Sequence, residues 1–501
     1  MAQSTATATQ AATQSTPGAV FAHLRTRCDE LRRQFEANPP TPAAACAFEK
    51  ELKAALDEAG RSLLEQTFNR LEPADKEQVA PRVRYHKQTY RRNKRTRTQV
   101  MTTFGPITLR SWLYLCDEDG EPGLHPLHLG LGIGAGTATP ALLGRVARMA
   151  VDHTQAEVRA WLRREHGLVW SNTRLRAALR CFRRGLMPFV PALQQARLLL
   201  WLQQAEQSRG RHRPVLAVGR DGIMLPMRSG CYEEGSTATV SVYDRRRRRL
   251  GTVYLGQMPQ TKQVALSQAL TGLLEGVLRA YTGPVPRLAY VTDKGSAPED
   301  YYRRVLQAMR HPRDGKPLVW EWVLDFYHVC VYLGHMAEAL FGTQTAAQAA
   351  WLARMRRWLL ERPHGAAQVA RSAMQLLGRR TMSKAQRESF WKAYRYLRRH
   401  ARWMDYAGYR RRGLPIGSGV TEAACKTVFT QRFKRSGMRW ERESGQVILD
   451  LRVALLSGVW DEACARDLAT RVLPEPLGAP KVSAQRGSRR AARPANPCLA
   501  A

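Results

Sequence analysis

The stretch PVLAVGRDGIMLPM, residues 214–227, is the first of five short apolar runs that decide the fold. The others are, in chain order, TATVSVYD (237–244), RLGTVYLG (249–256), RLAYVTD (287–293) and PLVWEWVLD (317–325). Runs of this length that are rich in β-branched and aromatic residues predict β-strands. Helical patterns at 261–281 and 298–309 separate the last three runs from one another. Three consecutive strands followed by alternating helices and strands predict a mixed α/β layer.

Three carboxylates stand out in or after these runs. Asp221 lies on a face of its run that is otherwise small or apolar, where an unpaired charge is costly to bury. Asp293 ends the fourth run, at the edge of an α/β sheet where ligands bind. Glu422 is the single acid in LPIGSGVTEAACKTVFTQRFKRSGMRW (414–440), which holds five Lys and Arg. Each acid has an ordinary structural alternative. Asp221 could be a turn residue, Asp293 a helix cap, and Glu422 the ion-pair partner of Lys426.

The three acids together predict a metal site. If they converge, they would hold two Mg²⁺ ions about 3.5–4 Å apart, a pair that can clamp both reacting oxygens of a phosphodiester. Carboxylates suit Mg²⁺, whereas Zn²⁺ prefers His or Cys ligands. We therefore expect Asp221, Asp293 and Glu422 to be catalytic metal ligands, with Mn²⁺ able to substitute for Mg²⁺.

The charge of the chain predicts its partner. A formal net charge of +37 over 501 residues repels itself unless a polyanion neutralises it, and nucleic acid is the commonest such polyanion. A ribosomal or membrane-surface role is the ordinary alternative, and 44% hydrophobic residues argue against a mere basic tail.

Nine cysteines without a CxxC pair predict reduced thiols in a cytoplasm, where we expect association with the nucleoid. We expect neither a signal peptide nor a membrane-spanning segment.

Two segments before the strands predict DNA binding. PRVRYHKQTYRRNKRTR (81–97) has eight Lys and Arg and precedes a hairpin pattern around Gly105-Pro106. Its Arg91, Arg92, Lys94 and Arg95 suit a phosphate backbone; a solvated face is the alternative.

Residues 136–186 predict a helix-turn-helix. Thr154 caps one helix that Gly167 stops, and Ser171 caps the next, in which Leu175, Ala178, Leu179 and Phe182 share a face. Arg174 and Arg180 lie off that face and would reach DNA in the major groove. A generic helical hairpin is the alternative interpretation.

Four motifs in order, RDGIMLPM, YVTDKG, DFYH and IGSGVTEAACK…SGMRW, resemble the DDE transposases of bacterial insertion sequences. The resemblance is to the ISKra-type family, akin to the mutator-like group, and runs from near Tyr90 to Asp461. It implies a ribonuclease-H-like fold interrupted by an all-helical insertion before the last catalytic helix. It also implies that Asp221, Asp293 and Glu422 are the catalytic acids.

The resemblance extends to residues around these acids. Asp325 and His328 match a D-x-x-H signature, which implies structural hydrogen bonding beside the site; a metal role with Cys330 or His335 is the alternative. The cations around Glu422 would neutralise approaching DNA; they are Lys426, Arg432, Lys434, Arg435 and Arg439. Trp440 would stack on an unpaired base, or else pack within the protein.

The function implied is transposition of an insertion sequence. The protein would bind double-stranded DNA at the terminal inverted repeats, cleave a strand with Mg²⁺, and join the freed 3′-OH to target DNA as a homodimer or larger assembly. Two alternatives remain: a ribonuclease-H-fold nuclease such as a junction resolvase, and a catalytically silent, sequence-specific DNA-binding protein.

The expected domain organisation has seven parts. They are 1–18 (disordered, low complexity), 19–135 (helices plus basic hairpin), 136–186 (helix-turn-helix), 212–342 (first part of the catalytic core), 343–410 (helical insertion), 411–472 (last part of the core) and 473–501 (disordered basic tail). The run Arg245–Arg249 lies between two strands and is expected either at a solvated hairpin tip or against DNA.

Overall fold

The computed structural model describes residues 17–118, 120–134, 137–378 and 381–478. The chain divides into two compact units. The first comprises the described residues among 1–142, 162–169 and 471–501, and the second those among 143–161 and 170–470.

Helices are the most frequent elements of both units. They are α1 (Pro17–Glu36), α2 (Pro42–Arg70), α3 (Pro126–Gly130), α4 (Pro140–Asp152), α5 (Gln155–His166), α6 (Asn172–Leu186), α7 (Val190–Gln207), α8 (Val264–Ala280), α9 (Ser296–Tyr301), α10 (Phe326–Phe341), α11 (Ala346–Glu361), α12 (Gly365–Leu377), α13 (Lys384–His400), α14 (Tyr406–Arg412), α15 (Gly419–Ala424), α16 (Gln431–Phe433), α17 (Arg442–Leu456) and α18 (Trp460–Thr470). A π-helical segment, Cys425–Thr430, joins α15 to α16. Across the described residues, none of the helices has the length and apolar character needed to cross a membrane.

The strands form two separate sheets. They are β1 (Arg82–Tyr85), β2 (Gln88–Thr102), β3 (Gly105–Cys116), β4 (Val215–Pro226), β5 (Tyr232–Tyr243), β6 (Arg249–Gln257), β7 (Arg287–Thr292), β8 (Trp320–Leu324) and β9 (Glu475–Leu477). One sheet has the order β3-β2-β1-β9 and the other the order β6-β5-β4-β7-β8.

The first unit contains the predicted basic hairpin. Strands β2 and β3 pair antiparallel from Tyr90 opposite Cys116 to Thr102 opposite Gly105, so the turn falls where Gly105-Pro106 predicts it. Strand β9 pairs with β1, so the expectation of disorder from residue 473 is wrong for Glu475–Leu477. Backbone pairing outweighs the Pro-rich composition there. The expected disorder of residues 1–18 is wrong for Pro17 and Gly18, which begin α1. Residues 1–16, and the rest of the expected tail from 479, lie outside the described residues.

The predicted helix caps between 141 and 186 are present. The backbone N–H of Glu157 donates to Thr154 Oγ1 at 3.1 Å, and the N–H of Arg174 donates to Ser171 Oγ at 3.1 Å. Gly167 has φ +64°, the left-handed conformation that ends a helix. Three helices therefore lie where the sequence predicts them.

The second unit is built on a five-stranded mixed sheet. Strands β4, β5 and β6 pair antiparallel, whereas β7 pairs parallel with both β4 and β8. All five predicted strands and the mixed α/β class are confirmed. Parallel strands need long crossovers, and α8 and the α9 segment supply them.

Helices cover both faces of this sheet. On one face, Arg220 of β4 donates to Ser267 Oγ of α8 at 3.1 Å. On the other, a Cβ at Gly219 would lie 1.9 Å from Thr421 Oγ1 of α15, and a Cβ at Gly256 would lie 2.9 Å from Leu449 of α17. Because Gly219 and Gly256 lack side chains, α15 and α17 both approach the sheet closely.

The segment expected to be a helical insertion is helical, with α11, α12, α13 and α14 between 346 and 412. Trp351, Met355 and Leu359 form an apolar stripe on α11 and are buried in the same core as the sheet. Where the chain leaves and re-enters the sheet, the backbone N–H of Phe326 donates to Ile416 O at 2.9 Å. The two ends of the segment are therefore joined.

The arginine run 245–249 forms the tip of the β5–β6 hairpin. The Asp244 carboxylate accepts the backbone N–H groups of Arg246 and Arg248, each at 2.8 Å. Tyr243 pairs with Val215, the first residue of β4. This tip therefore lies beside the amino-terminal end of β4, six residues before Asp221. Arg246, Arg247 and Arg248 are exposed at this tip, and their contact with DNA stays a prediction.

Candidate active site

Asp221 and Asp293 lie at the same level of adjacent parallel strands. Val218 of β4 pairs with Tyr290 of β7, and each residue precedes its aspartate by three positions. Extending the same register by three residues brings Asp221, midway along β4, beside Asp293, which directly follows β7, on strands about 4.8 Å apart. This edge of an α/β sheet is where ligands bind.

Asp325 occupies the same level on the next strand. Thr292 of β7 pairs with Leu324 of β8, and the following residues are Asp293 and Asp325. The Asp325 carboxylate is buried and accepts the backbone N–H of His328, where it caps α10, and that of Ser418. It thus ties the loop before α15 to the sheet.

Glu422 lies on the helix that covers the face of Asp221. The neighbouring Thr421 is buried, and its Oγ1 lies 2.8 Å from Thr239 Oγ1 of β5. Glu422 itself is exposed, and Ser418 Oγ donates to its Oε1 at 2.7 Å. Glu422 and Lys426, both described, form no ion pair with each other. The salt-bridge interpretation of Glu422 is therefore wrong in this structure.

Cys425 joins the Glu422 helix to Asp221. Its Sγ–H donates to Asp221 Oδ2 at 3.1 Å, while the backbone N–H of Gly222 donates to Asp221 Oδ1 at 2.8 Å. Burial raises the pKa of the Cys425 thiol, and the nearby Asp221 carboxylate raises it further. The thiol therefore stays protonated and remains a hydrogen-bond donor at neutral pH.

Burial also governs the charge of the two aspartates. It raises the pKa of Asp221, although the Cys425 thiol and the Gly222 N–H oppose the rise, and Asp293 and Glu422 add to it. Burial likewise raises the pKa of Asp293, which His328 lowers and Asp325 and Glu422 raise. The carboxylates repel one another, so a cation among them would be stabilising.

The donor chemistry of this cluster fits Mg²⁺. Asp221, Asp293 and Glu422 offer hard carboxylate oxygens, the ligands that Mg²⁺ prefers. With the side chains as they stand, no group of three or more His, Cys, Asp or Glu in the described residues is arranged so that it could hold a metal ion. The Cys425 thiol donates to one oxygen of Asp221, and the Ser418 hydroxyl donates to one oxygen of Glu422. An ionised carboxylate has about four acceptor sites, so both side chains keep lone pairs for a cation.

His328 lies beside the acids within an aromatic cluster. Its ring is 5.5 Å from that of Tyr332 and 6.2 Å from that of Tyr396. Of the two proposed metal partners, Cys330 is buried, whereas His335 is half exposed and lies 3.8 Å from Glu338. The ring contacts favour a packing role for His328 over a metal site.

The cations after Glu422 differ in exposure. Lys426, Lys434 and Arg439 are exposed. Arg435 instead pairs with Glu157, with N···O distances of 2.8 and 2.9 Å. Three of the five basic residues thus remain accessible to a polyanion.

Two of the residues predicted to bind DNA lie in the interior. Arg432 is 2% exposed, and its Nε donates to Ala150 O at 3.1 Å. Trp440 is 9% exposed, and its indole N–H donates to Phe433 O at 2.9 Å. The prediction that these two side chains contact DNA is wrong for this conformation. The guanidinium and the indole are buried and donate hydrogen bonds to backbone carbonyls of the protein instead.

The basic hairpin belongs to the first unit. Arg91 and Lys94 are exposed on β2. Arg92 donates to the carbonyls of Lys76 and Val79, and Arg95 is half-buried. Two of the four side chains are thus available to a phosphate backbone.

The two arginines predicted on α6 belong to the second unit. Arg174 is half-buried and lies over the Trp170 ring, 5.4 Å from its centroid. Arg180 is exposed, with Nε 3.5 Å from Glu443.

Sequence reasoning missed three residues of the site. Cys425 and Ser418 orient Asp221 and Glu422, and Tyr396 has a buried hydroxyl without a hydrogen-bond partner among the described residues, near Asp293 and Asp325. Cys425 falls three positions after Glu422, where a helix brings side chains onto one face, and that spacing could have pointed to it. No local signal points to Tyr396, which comes from the distant helix α13.

The close approach of Gly219 to Thr421 yields a testable prediction. We expect Gly219→Ala to force α15 from the sheet, because the new Cβ would lie 1.9 Å from Thr421 Oγ1. Overpacking of this kind costs about 1–3 kcal/mol of unfolding free energy, and displacing a reacting group by about 1 Å can cost about 10²-fold in rate. Thermal unfolding and the rate of Mg²⁺-dependent DNA cleavage measure the two effects.

The control for this variant is Gly272→Ala in α8, where a Cβ meets nothing within 4 Å. Thr421→Ala combined with Gly219→Ala should recover part of both losses, because the clashing hydroxyl is gone. Normal activity and stability of Gly219→Ala alone would show that α15 does not rest on this contact.

The raised pKa of Asp293 predicts a pH dependence of stability. Between the ordinary aspartate value of 3.8 and the raised pKa, the folded state holds a proton that the unfolded state has lost. Stability therefore falls as pH rises through this window, and above it the ionised carboxylate is destabilising. We expect Asp293→Asn to raise the thermal midpoint at neutral pH without metal, an advantage that disappears toward pH 4.

The exposed Asp300→Asn is the control, with little expected change at either pH. MgCl₂ should then raise the thermal midpoint of the wild type more than that of Asp293→Asn, because a cation that binds the folded state stabilises it. An Asp293→Asn variant that is less stable than the wild type at neutral pH would contradict this account.

Neither the known family models nor the curated proteins contain a match to this chain.

Proposed function

We propose that the chain is a DDE-type DNA transposase with a ribonuclease-H-like catalytic core. The observation that carries this proposal is the level register of Asp221 and Asp293 on adjacent parallel strands, with Glu422 on the helix that covers the same face. The sequence resemblance leads one to expect a mixed sheet with two aspartates at one level of neighbouring strands and a glutamate on a later helix. The net charge of +37 supports a nucleic acid substrate.

The acids have the roles of metal ligands in this proposal. Asp221, Asp293 and Glu422 would hold two Mg²⁺ ions, or Mn²⁺ in their place. When bound, these ions supply Lewis-acid activation of the attacking hydroxyl and stabilise the leaving oxygen. Catalysis of phosphoryl transfer depends chiefly on such positioning and charge stabilisation, so no covalent protein–DNA intermediate is needed.

The other residues of the site orient these ligands. The Cys425 thiol fixes one oxygen of Asp221, and the Ser418 hydroxyl fixes one oxygen of Glu422. Asp325 anchors the loop that carries Ser418, so the position of Glu422 is set by the sheet. Lys426, four positions after Glu422 and exposed, would neutralise a phosphate that approaches the acids.

Recognition of the element ends is assigned to the helices at 136–186 as a helix-turn-helix, together with the basic hairpin. The exposed Arg91, Lys94 and Arg180 support this assignment. Holding two ends at once requires a homodimer or a larger assembly. The double-stranded DNA of the ends and of the target is therefore the proposed partner.

The test is a cleavage and joining assay with the full chain. Labelled duplexes made from the DNA that flanks the coding sequence are incubated with and without Mg²⁺, and a second duplex serves as target. Strand cleavage followed by joining of the freed 3′-OH is the result expected of a transposase. Cleavage without joining would identify a nuclease, and binding without Mg²⁺-dependent cleavage would identify a DNA-binding protein.

A further inference from the structure

An arginine-lined cleft of about 460 Å³ lies within the second unit, apart from the acids. Its walls include Arg180, Arg183 and Arg184 of α6, and Arg442 and Glu443 at the start of α17. Four arginines against one glutamate give the lining an excess of positive charge. A concave surface with this charge attracts an anion.

The arginines of the cleft are only partly neutralised by the protein. Arg183 donates to the buried Asp450 at 2.5 Å, which fixes its position. Arg180 lies 3.5 Å from Glu443, and both side chains are largely exposed, so this ion pair is weak. Arg442 is exposed and pairs with Glu233, and Arg184 is exposed to solvent. At least two guanidinium groups can therefore turn to a ligand.

One lining residue of the cleft, Gln257, belongs to the catalytic sheet and lies near the level of the acids. Gln257, the last residue of β6, lines the cleft and pairs with Ser236 of β5, which in turn pairs with Gly222 of β4. Gly222 follows Asp221 directly. Gln257 is thus two strands from Asp221 at nearly the same level, a separation of roughly 10 Å.

The cleft and Glu422 also share one face of the sheet. Gly256, which α17 covers, pairs with Thr237, and Thr237 pairs with Asp221. Directly paired residues of antiparallel strands point to the same face. The helix of Glu422 and the cleft at the start of α17 therefore flank one another on the face of Asp221.

We propose that this cleft binds the phosphodiester backbone of the DNA strand that continues beyond the bond held at the acids. Phosphates follow one another every few ångströms along a strand, so a contact roughly 10 Å from the scissile bond falls within a few nucleotides of it. Planar guanidinium groups recognise phosphate with two parallel hydrogen bonds, and the cleft places several of them together. The inference rests on the proposed function, because it takes DNA to be the substrate.

The experiment measures equilibrium binding of a labelled duplex to the full chain in EDTA, over a series of salt concentrations. Arg184→Gln/Arg442→Gln removes two exposed charges from the cleft and keeps Arg180, which is assigned to the helix-turn-helix. The control, Arg247→Gln/Arg248→Gln, removes two exposed charges from the hairpin tip at the opposite edge of the sheet. Each lost phosphate contact reduces the slope of log affinity against log salt by about one. We expect a fall of about two for the cleft pair and none for the control.

The outcomes separate this proposal from the proposed function. If the wild type binds and cuts DNA but the cleft pair keeps the wild-type slope, the cleft proposal alone is overturned. An equal fall in both pairs would assign the effect to overall charge and also overturn it. A thermal shift with inorganic phosphate that the cleft pair abolishes, without a change in slope, would make the cleft a small-anion site instead. In the last case, the wild type fails to cut DNA with Mg²⁺ while the cleft variant lowers the salt slope as expected. That outcome would contradict the transposase proposal only.

Discussion

Glu422→Gln is expected to bind duplex DNA as the wild type does and to lose Mg²⁺-dependent cleavage by about 10²–10³-fold, the size of effect that loss of one charge-stabilising group produces. The amide keeps the shape of the side chain and can still accept the Ser418 hydroxyl, so α15 should stay in place. It removes the negative charge that a divalent cation needs. Rates of single-turnover cleavage at saturating protein measure the effect independently of binding.

Glu462→Gln in α18 is the matched control for this variant. Glu462 is about half exposed and pairs with Arg466 within its own helix. Its replacement should leave cleavage unchanged, because exposed ion pairs of this kind contribute little. Cleavage by Glu422→Gln at the wild-type rate would remove Glu422 from the catalytic site and leave the acid cluster without its third ligand.

Arg452→Met is expected to lower the unfolding free energy of the second unit by about 3 kcal/mol, the range for breaking a buried hydrogen-bond network. Arg452 is 3% exposed. Its guanidinium donates to Thr427 O at 2.6 Å and to Val151 O at 3.1 Å, and it pairs with Asp152 at 2.5 Å. Methionine fills much of the volume but leaves both carbonyls without a donor.

Arg466→Met provides the comparison, because this arginine is exposed and only pairs with Glu462 one turn away. Its effect should stay within about 0.5 kcal/mol. Thermal unfolding followed by far-UV circular dichroism, together with proteolytic susceptibility of the second unit, measures both variants. An Arg452→Met midpoint equal to that of the wild type would mean that water replaces the lost donors.

The elements of the catalytic sheet are readable from sequence because their signals are local. Each strand is a short apolar run bounded by turn residues, and the acids Asp221 and Asp293 interrupt or end such runs. Their equal level on the sheet follows from register, which a single run does not encode. Sequence therefore predicts which acids to consider, whereas pairing brings them side by side.

The interior arginines were the least predictable feature. Arg432 and Arg452 look like solvated or DNA-binding residues in the sequence, since arginine is rarely buried. Each is buried because backbone carbonyls from a distant helix, α4, meet its guanidinium. Partners that lie so far away in the chain leave no local pattern. The same reason hides the bond between Cys425 and Asp221.

Strand β9 illustrates a different limit. Its sequence Glu475–Leu477 contains a proline and follows another, a composition typical of irregular structure. It forms a strand only because β1 offers a free edge for three paired residues. An edge pairing of this length is decided by the partner strand rather than by the propensity of its own residues.

The hydrogen bond between Phe326 and Ile416, with the Asp325–Ser418 contact beside it, closes the helical segment at its base. The position of Glu422 is thereby set by the sheet and is independent of the path that the chain takes in between. Loop-closure entropy grows only slowly with length, so residues can be gained or lost in the connections that join α11, α12 and α13 at little thermodynamic cost. These connections are the exchangeable part of the segment, because the helices themselves contribute Trp351, Val369 and Phe390 to the core of the sheet.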